Sequence, residues 1–265
     1  DCGDISMGKL GWIDSHAHLV DDSLLDCIDD VIQQLYDHNV SKVLSISTSI
    51  EEAYINFDLQ QKYGNIDVAV GFHPSDAHTI TQDEFKQLVE LAHDERIVAI
   101  GEIGLDYYWQ KDTIDIQKEM FVKQIELANL VNKPIIVHNR EATQDVYDIL
   151  KSYPVKTTGI MHCYSGSVEM AKEFVEENMM ISFAGPLTFK NARVPKEVAA
   201  EISLDHLLVE TDSPYLTPTP YRGKKNQPAY VSFVAKELAK IKGVSQKELM
   251  QTLSDNYNRV FYKSK

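Results

Sequence analysis

The sequence predicts an α/β fold, a (β/α)8 barrel of the TIM type, and three observations carry that prediction. Eight short runs rich in β-branched and apolar residues recur along the chain. Longer amphipathic stretches separate them, so the runs are spaced by about 20 to 35 residues, the length of one strand–helix unit. The first run leads into Asp14-Ser15-His16-Ala17-His18, not into the glycine-rich phosphate loop that an open doubly wound sheet would want there. Strands and helices alternating in this way close into a parallel barrel with its helices outside.

The strands are predicted at 11–14, 42–47, 67–72, 97–102, 134–138, 158–162, 179–183 and 207–211. The first helix, 22–39, carries Leu25, Ile28, Ile32 and Leu35 at helical spacing. The helix at 81–93 begins on Thr81 with Glu84 three residues on, a capping box. The helix at 114–132 presents Met120, Phe121, Ile125, Leu127 and Ala128, and stops before Pro134. Stretches 144–152, 167–177 and 195–202 follow the same logic. Two extra helices close the chain, 228–242 ending at Gly243, and 245–262. No linker, low-complexity tract or repeat divides these elements, and one barrel domain is expected over residues 7–265. Residues 1–6 lack the charged and apolar regions of a secretory signal and read as an expression remnant or a disordered tail, with Met7 as the natural start.

Composition narrows the function. Apolar residues make up 43% of the 265 positions, enough for a sizeable core. No run of 18 apolar residues occurs, so no membrane span is expected. Cys2, Cys27 and Cys163 are odd in number and far apart, which gives no disulfide framework and fits a reducing, cytoplasmic setting. The net charge of −14 argues against a protein that coats duplex nucleic acid through a basic face. It leaves a nuclease open, because a metal site cancels local negative charge.

The chemistry is carried by polar residues at strand ends. In a (β/α)8 barrel all strand C-termini meet at one face, so residues from position 16 to position 212 converge. His16 and His18 follow the first strand two residues apart and point to the same side. An isolated pair of this kind is weak evidence and is more often a satisfied structural pair than a metal site. Glu102 ends the apolar run 97–101, where a carboxylate is costly unless paired or metal-bound. A salt bridge is the plain alternative; the role assigned is a carboxylate bridging two metals. His138 and His162 end adjacent strands, and neutral imidazole is the commonest nitrogen donor to first-row metals. Asp212 follows the eighth strand, beside the first. As an N-cap it would be structural; as a site residue it would hold a metal and take a proton from water. Glu210 also points inward and is left outside the site as a structural partner of some cation.

His73, after the third strand, is placed to contact substrate. Arg140, two residues past His138, either faces an anionic substrate or makes a surface ion pair. His38, His78, His93 and His206 fall in helices or helix-end loops and are read as structural. Cys163 has no His–acid pair outside the cluster and is read as buried and inert.

Together the segments Ile13-Asp14-Ser15-His16-Ala17-His18-Leu19, Gly71-Phe72-His73-Pro74, Gly101-Glu102-Ile103-Gly104-Leu105-Asp106-Tyr107 and Val137-His138-Asn139-Arg140 stand in order with His162-Cys163-Tyr164-Ser165-Gly166 and Glu210-Thr211-Asp212-Ser213-Pro214-Tyr215. The chain resembles the TatD family of metal-dependent deoxyribonucleases, within the amidohydrolase-like superfamily, from about Trp12 to Phe261. The resemblance implies hydrolysis of DNA phosphodiester bonds at a site of one or two metals per subunit. It implies that His16, His18 and Asp212 hold one metal, that His138 and His162 hold the second, that Glu102 is shared, and that His73 lies near the scissile phosphate. Gln227 stands where the family usually has a glutamate, which puts in doubt an ionic role for the loop after the eighth strand.

The donors suit Zn2+, Mn2+, Ni2+ or Fe2+, and Mg2+ can act with substrate phosphates. Asp212 and Glu102 are the catalytic candidates; Arg140, Arg222, Lys224 and Lys225 would steady flanking phosphates. The expected partner is DNA, single-stranded or at its ends, acted on by a monomer. The alternative is an amidohydrolase acting on C–N or ester bonds of a small molecule. Many such sites want a carboxylated lysine at the end of the fourth strand, where this chain has Glu102.

Overall fold

The computed structural model describes residues 9–262; the reading of residues 1–6 and of Met7 lies outside them. Eight parallel strands lie in chain order, each hydrogen-bonded to the next. They are β1 (Trp12–Ala17), β2 (Val40–Ser47), β3 (Ile66–Val70), β4 (Ile97–Asp106), β5 (Ile135–Arg140), β6 (Gly159–Met161), β7 (Met179–Phe183) and β8 (Leu207–Val209). The helices are α1 (Asp22–Leu25), α2 (Ile28–Asp37), α3 (Ile50–Tyr63), α4 (Gln82–Ala92), α5 (Ile114–Val131), α6 (Thr143–Ser152), α7 (Val168–Glu176), α8 (Arg193–Glu201), α9 (Val231–Lys242) and α10 (Gln246–Phe261). The last strand returns to the first through a bridge between Ala17 and Ser213. Ser15 Oγ donates to the Val209 carbonyl at 2.8 Å, and Thr211 N donates to Asp14 at 2.8 Å, across the same seam. The fold is a (β/α)8 barrel, as the sequence predicts.

Alternation along each strand divides the core in two. Val43, Val68, Val70, Ile135, Val137 and Met161 join the layer between strands and helices. Their neighbours Ile13, Leu44, Ile46, Ala69, Ala99, Ile136, Ile160, Met180 and Leu208 fill the barrel interior, one or two from every strand. Successive side chains on a strand point to opposite faces, so both layers follow from the same short apolar runs. Tyr257 and Val260 of α10 join the inner cluster. The Tyr257 hydroxyl donates to Asp67 at 2.6 Å, near the start of β3, which places α10 across the N-terminal end of the barrel. The opposite end is left open for a site.

Three local features depart from the sequence reading. The helix expected over 22–39 is broken into α1 and α2. Lys225 Nζ takes the Ser23 carbonyl at 2.8 Å, and Cys27 N turns to Leu24 instead. Helix α3 was not predicted. Its buried face includes Asn56, which bonds Ser45 and Ser47 on β2, while Tyr54 and Ile55 are exposed. A polar residue inside and apolar ones outside erase the helical period. Finally, β1, β4 and β5 run past their predicted ends, so His16, expected after its strand, lies within it, and Glu102 and His138, expected as last strand residues, lie inside longer strands. Among the described residues no helix is long and apolar enough to cross a membrane.

Candidate metal centre

Glu102 is the hub of the open end. Its Oε2 lies 3.2 Å from His16 Nε2 and 3.5 Å from His18 Nε2. Its Oε1 lies 3.0 Å from His138 Nδ1, 3.2 Å from His162 Nε2 and 3.5 Å from His73 Nε2. Asp212 Oδ1 faces the first pair again, 3.4 Å from His16 and 3.2 Å from His18. The structure thus gathers all six sequence-predicted donors and His73 around one carboxylate. The two oxygens divide them into a set with Asp212 and a set with His138 and His162.

Local structure explains this convergence. Asp212 N donates to the His16 carbonyl at 2.8 Å and His18 N to that of Ser213 at 2.9 Å, so β1 and the segment after β8 fix each other. Asn226 donates to the Thr211 and Tyr215 carbonyls, tying down the loop around Asp212, which is therefore no helix cap. Gln124 and Gln117, two turns apart on α5, clamp the backbone at Phe72 and at Asp106. Gly104 brings β4 against β5: its φ is +144°, and a Cβ there would fall on the His138 carbonyl oxygen.

Two carboxylates complete the site that the sequence reading did not place in it. Glu210 accepts from His162 Nδ1 at 2.6 Å and from Cys163 N at 2.9 Å. It was set aside as a partner of some cation, and its partner is this imidazole. Asp106 lies 2.9 Å from His138 Nε2, and its other oxygen accepts the N–H groups of Tyr108 and Trp109. Ending β4 at Glu102 hid it; residues four apart on an extended strand share a face.

Burial opposes every charge here, and the charges answer one another. Burial pushes the Glu102 carboxyl up, but His162 and His16 beside it hold it well below its ordinary value. Burial also pushes up the carboxyls of Asp212 and Glu210, and His162 leads the neighbours that bring each below its ordinary value. Burial lowers the His162 imidazole, but Glu210, Glu102 and Asp212 raise it well above the usual value. Burial and then the charge on His162 lower His16. His16 stacks on His162 with ring centres 3.6 Å apart; its buried Nδ1 has no hydrogen-bond partner, and its Nε2, though close to the Glu102 and Asp212 carboxylates, makes no aligned hydrogen bond to either. Buried polar atoms are rarely left so without a reason. Overlapping sets, His16–His162–Glu210–Asp212, His16–His18–Glu102 and His73–Glu102–His138, each bring donor atoms within 4.8 Å of one another. Imidazole nitrogens and carboxylate oxygens in such sets fit a divalent first-row cation.

A cavity of about 900 Å³ opens above the cluster. His73 lines it, with Ser75 N donating to its Nδ1 at 3.1 Å. Arg140 lines it too, whereas Arg222, Lys224 and Lys225 do not. The Arg222 guanidinium lies 3.6 Å over the Phe189 ring, and Lys225 is held by Ser23. Cys163 reaches the cavity wall and as a whole residue is half-buried; loss of water around its thiol pushes that group far up, against thiolate chemistry. His38, His78, His93 and His206 line no part of it.

A (β/α)8 barrel with a histidine–carboxylate cluster at its open end is the architecture of a metal-dependent hydrolase. The comparisons agree. The family model described as TatD related DNase matches residues 13–262. The uncharacterized metal-dependent hydrolase YabD of Bacillus subtilis is 43% identical over 249 residues, covering 94% of this chain and 98% of that protein. YcfH of Escherichia coli K12, also named an uncharacterized metal-dependent hydrolase, is 39% identical, covering 94% of this chain and 95% of its own. The crystal structure of YJJV, a TatD homolog from Escherichia coli K12, superimposes with a TM-score of 0.90 at 26% identity, covering 96% of this chain and 98% of that one. The chain belongs to the TatD family and is a metal-dependent hydrolase.

Proposed function

We propose that this chain is a deoxyribonuclease that hydrolyses DNA phosphodiester bonds. The observation that carries the reading is the division of donors between the two Glu102 oxygens, His16 and His18 on one, His138 and His162 on the other. That division suits a shared carboxylate between two cation positions, with Asp212 on the first. Divalent cations supply, when bound, polarisation of the phosphoryl oxygen and a lowered pKa for water at the site. The protein does the rest. Asp212, at the cavity wall, accepts the proton of the attacking water. His73 accepts from Ser75 N at Nδ1, so in the neutral ring Nε2 carries the hydrogen and donates to a non-bridging phosphate oxygen. Arg140 at the rim pairs with a neighbouring phosphate. Zn2+, Mn2+ and Ni2+ match the nitrogen-rich donors, with Mg2+ a weaker fit. The substrate is single-stranded DNA or an unpaired end, met by a monomer in the cytoplasm.

A second reading, hydrolysis of a C–N or ester bond in a small molecule, draws on charge. Arg140 is accompanied at the cavity wall by Asp21, Glu52 and Asp76, which lie outside the cluster. A polyanion meets repulsion there. The test is one assay of single-stranded DNA beside a panel of amides and esters, with metal restored after chelation. Cleaved DNA, abolished in Glu102→Ala and Asp212→Ala while both variants keep their circular dichroism, supports the nuclease. Intact DNA beside a hydrolysed amide or ester overturns it.

A further inference from the structure

The loop after β4 contributes nothing to the chemistry above, yet it carries a conspicuous pair of rings at the mouth of the cavity. Trp109 is 66% exposed and Tyr108 43%. Adjacent exposed aromatic rings at the rim of a cavity form an apolar patch of the kind that marks a contact site. The pair is held in place. Asp106 accepts the N–H of Tyr108 at 3.0 Å and of Trp109 at 3.2 Å. The two rings meet edge to face, 4.6 Å between centres. The Arg140 guanidinium lies 4.0 Å over the Tyr108 ring and 5.6 Å from that of Trp109. Trp109, Arg140 and Asp106 all line the same cavity as Glu102 and His138.

We propose that Trp109, braced by Tyr108 and Arg140, is a stacking platform for an unpaired nucleobase next to the phosphate at the cluster. The proposal rests on the nuclease reading and names the part of the substrate that this rim holds. Every base has a π face, so stacking on an indole accepts any sequence. A paired base is already stacked within its duplex, so the platform selects single strands. Arg140 serves both partners: its flat face lies against the rings, and its N–H groups remain for a phosphate. Asp106 links the platform to the site, because the carboxylate that holds the Tyr108–Trp109 turn also faces His138. Grip on a base and placement of the cluster therefore share one anchor.

The chain has two tryptophans, and Trp12 is buried at 2% exposure, so a change in indole emission on binding reports Trp109. The experiment titrates the metal-loaded protein with a phosphorothioate tetrathymidylate and with an abasic strand of equal length. A dye-labelled copy of each gives Kd by anisotropy. The expected result is saturable quenching by the thymidylate and none by the abasic strand. Trp109→Ala weakens thymidylate binding by about tenfold, and Trp109→Phe restores most of it. Equal Kd for the two strands, or an unchanged Kd in Trp109→Ala, overturns the platform. The hydrolytic reading is scored separately with ordinary single-stranded DNA. Binding and quenching without cleavage overturn the nuclease and leave the platform standing. Cleavage with an unchanged KM in Trp109→Ala overturns the platform alone. Failure of the wild type to bind either strand overturns both.

Discussion

The Glu210 carboxylate meets His162 Nδ1 at 2.6 Å, closer than any other contact in the cluster. A carboxylate only accepts, so Nδ1 carries the hydrogen and the Nε2 lone pair is turned toward Glu102 and the cation positions. Glu210→Gln changes this without changing size. A glutamine can offer N–H to Nδ1, which moves the ring hydrogen to Nε2 and removes a donor. The expected outcome is a loss of metal affinity of about 10- to 100-fold, read by competition with a graded series of chelators, with little change in melting temperature of the metal-free protein.

Chelation itself tests the cluster. A cation present at about a thousand times its Kd stabilises the fold by about 4 kcal/mol, or about 10 °C of melting temperature for a chain of this size. Scanning calorimetry before and after chelation measures it. His18, His138 and His162 are all raised by neighbouring carboxylates, over the opposing effect of burial. Protons compete with the cation at these nitrogens, so retention weakens as pH falls and uptake releases protons. Identical melting curves with and without metal at every pH would remove the basis for a metal centre.

Tyr257 offers a test on alkaline stability. Burial, then the charge on Asp67, raises its phenol well above the ordinary value. A raised folded value contributes stability in full below the unfolded value of about 10, and that contribution is lost as pH climbs through the folded value. Tyr257→Phe loses a buried hydrogen bond worth about 1–2 kcal/mol at neutral pH. The gap between wild type and variant then narrows above pH 10. Urea titrations at pH 7 and at pH 10.5 check it; a gap that widens with pH contradicts the assignment.

Gly104→Ala should be among the most damaging single-atom additions. The new Cβ meets the His138 carbonyl, and φ of +144° is foreign to alanine. Strain of this kind costs about 1–3 kcal/mol before any clash is counted. Because Gly104 pairs with His138 across β4 and β5, activity and melting temperature should fall together. A variant with normal activity and stability would show that the strand pair has slack.

Much of this was legible in the sequence because a barrel converts chain order into position. Once eight runs were counted, His16, His18, Glu102, His138, His162 and Asp212 had to meet at one end. What escaped notice escaped for local reasons. Asp106 was hidden because β4 continues past Glu102, and strand length is not encoded in hydropathy once the run turns mixed. Glu210 was seen to face inward, but its partner lies 48 positions away, just past the end of β6. Helix α3 vanished because Asn56 occupies a buried position through bonds to Ser45 and Ser47 that no periodicity reveals. Arg222 and Lys225 looked like phosphate ligands by charge alone, and tertiary contacts claim them instead.

The helix that floors the barrel is translated after all eight staves. Until Tyr257 and Val260 emerge from the ribosome, Ile13, Leu44 and their companions have no lid against water from below. Docking of α10 therefore closes the barrel: a nascent chain stalled before that helix offers chaperones and proteases an open apolar well.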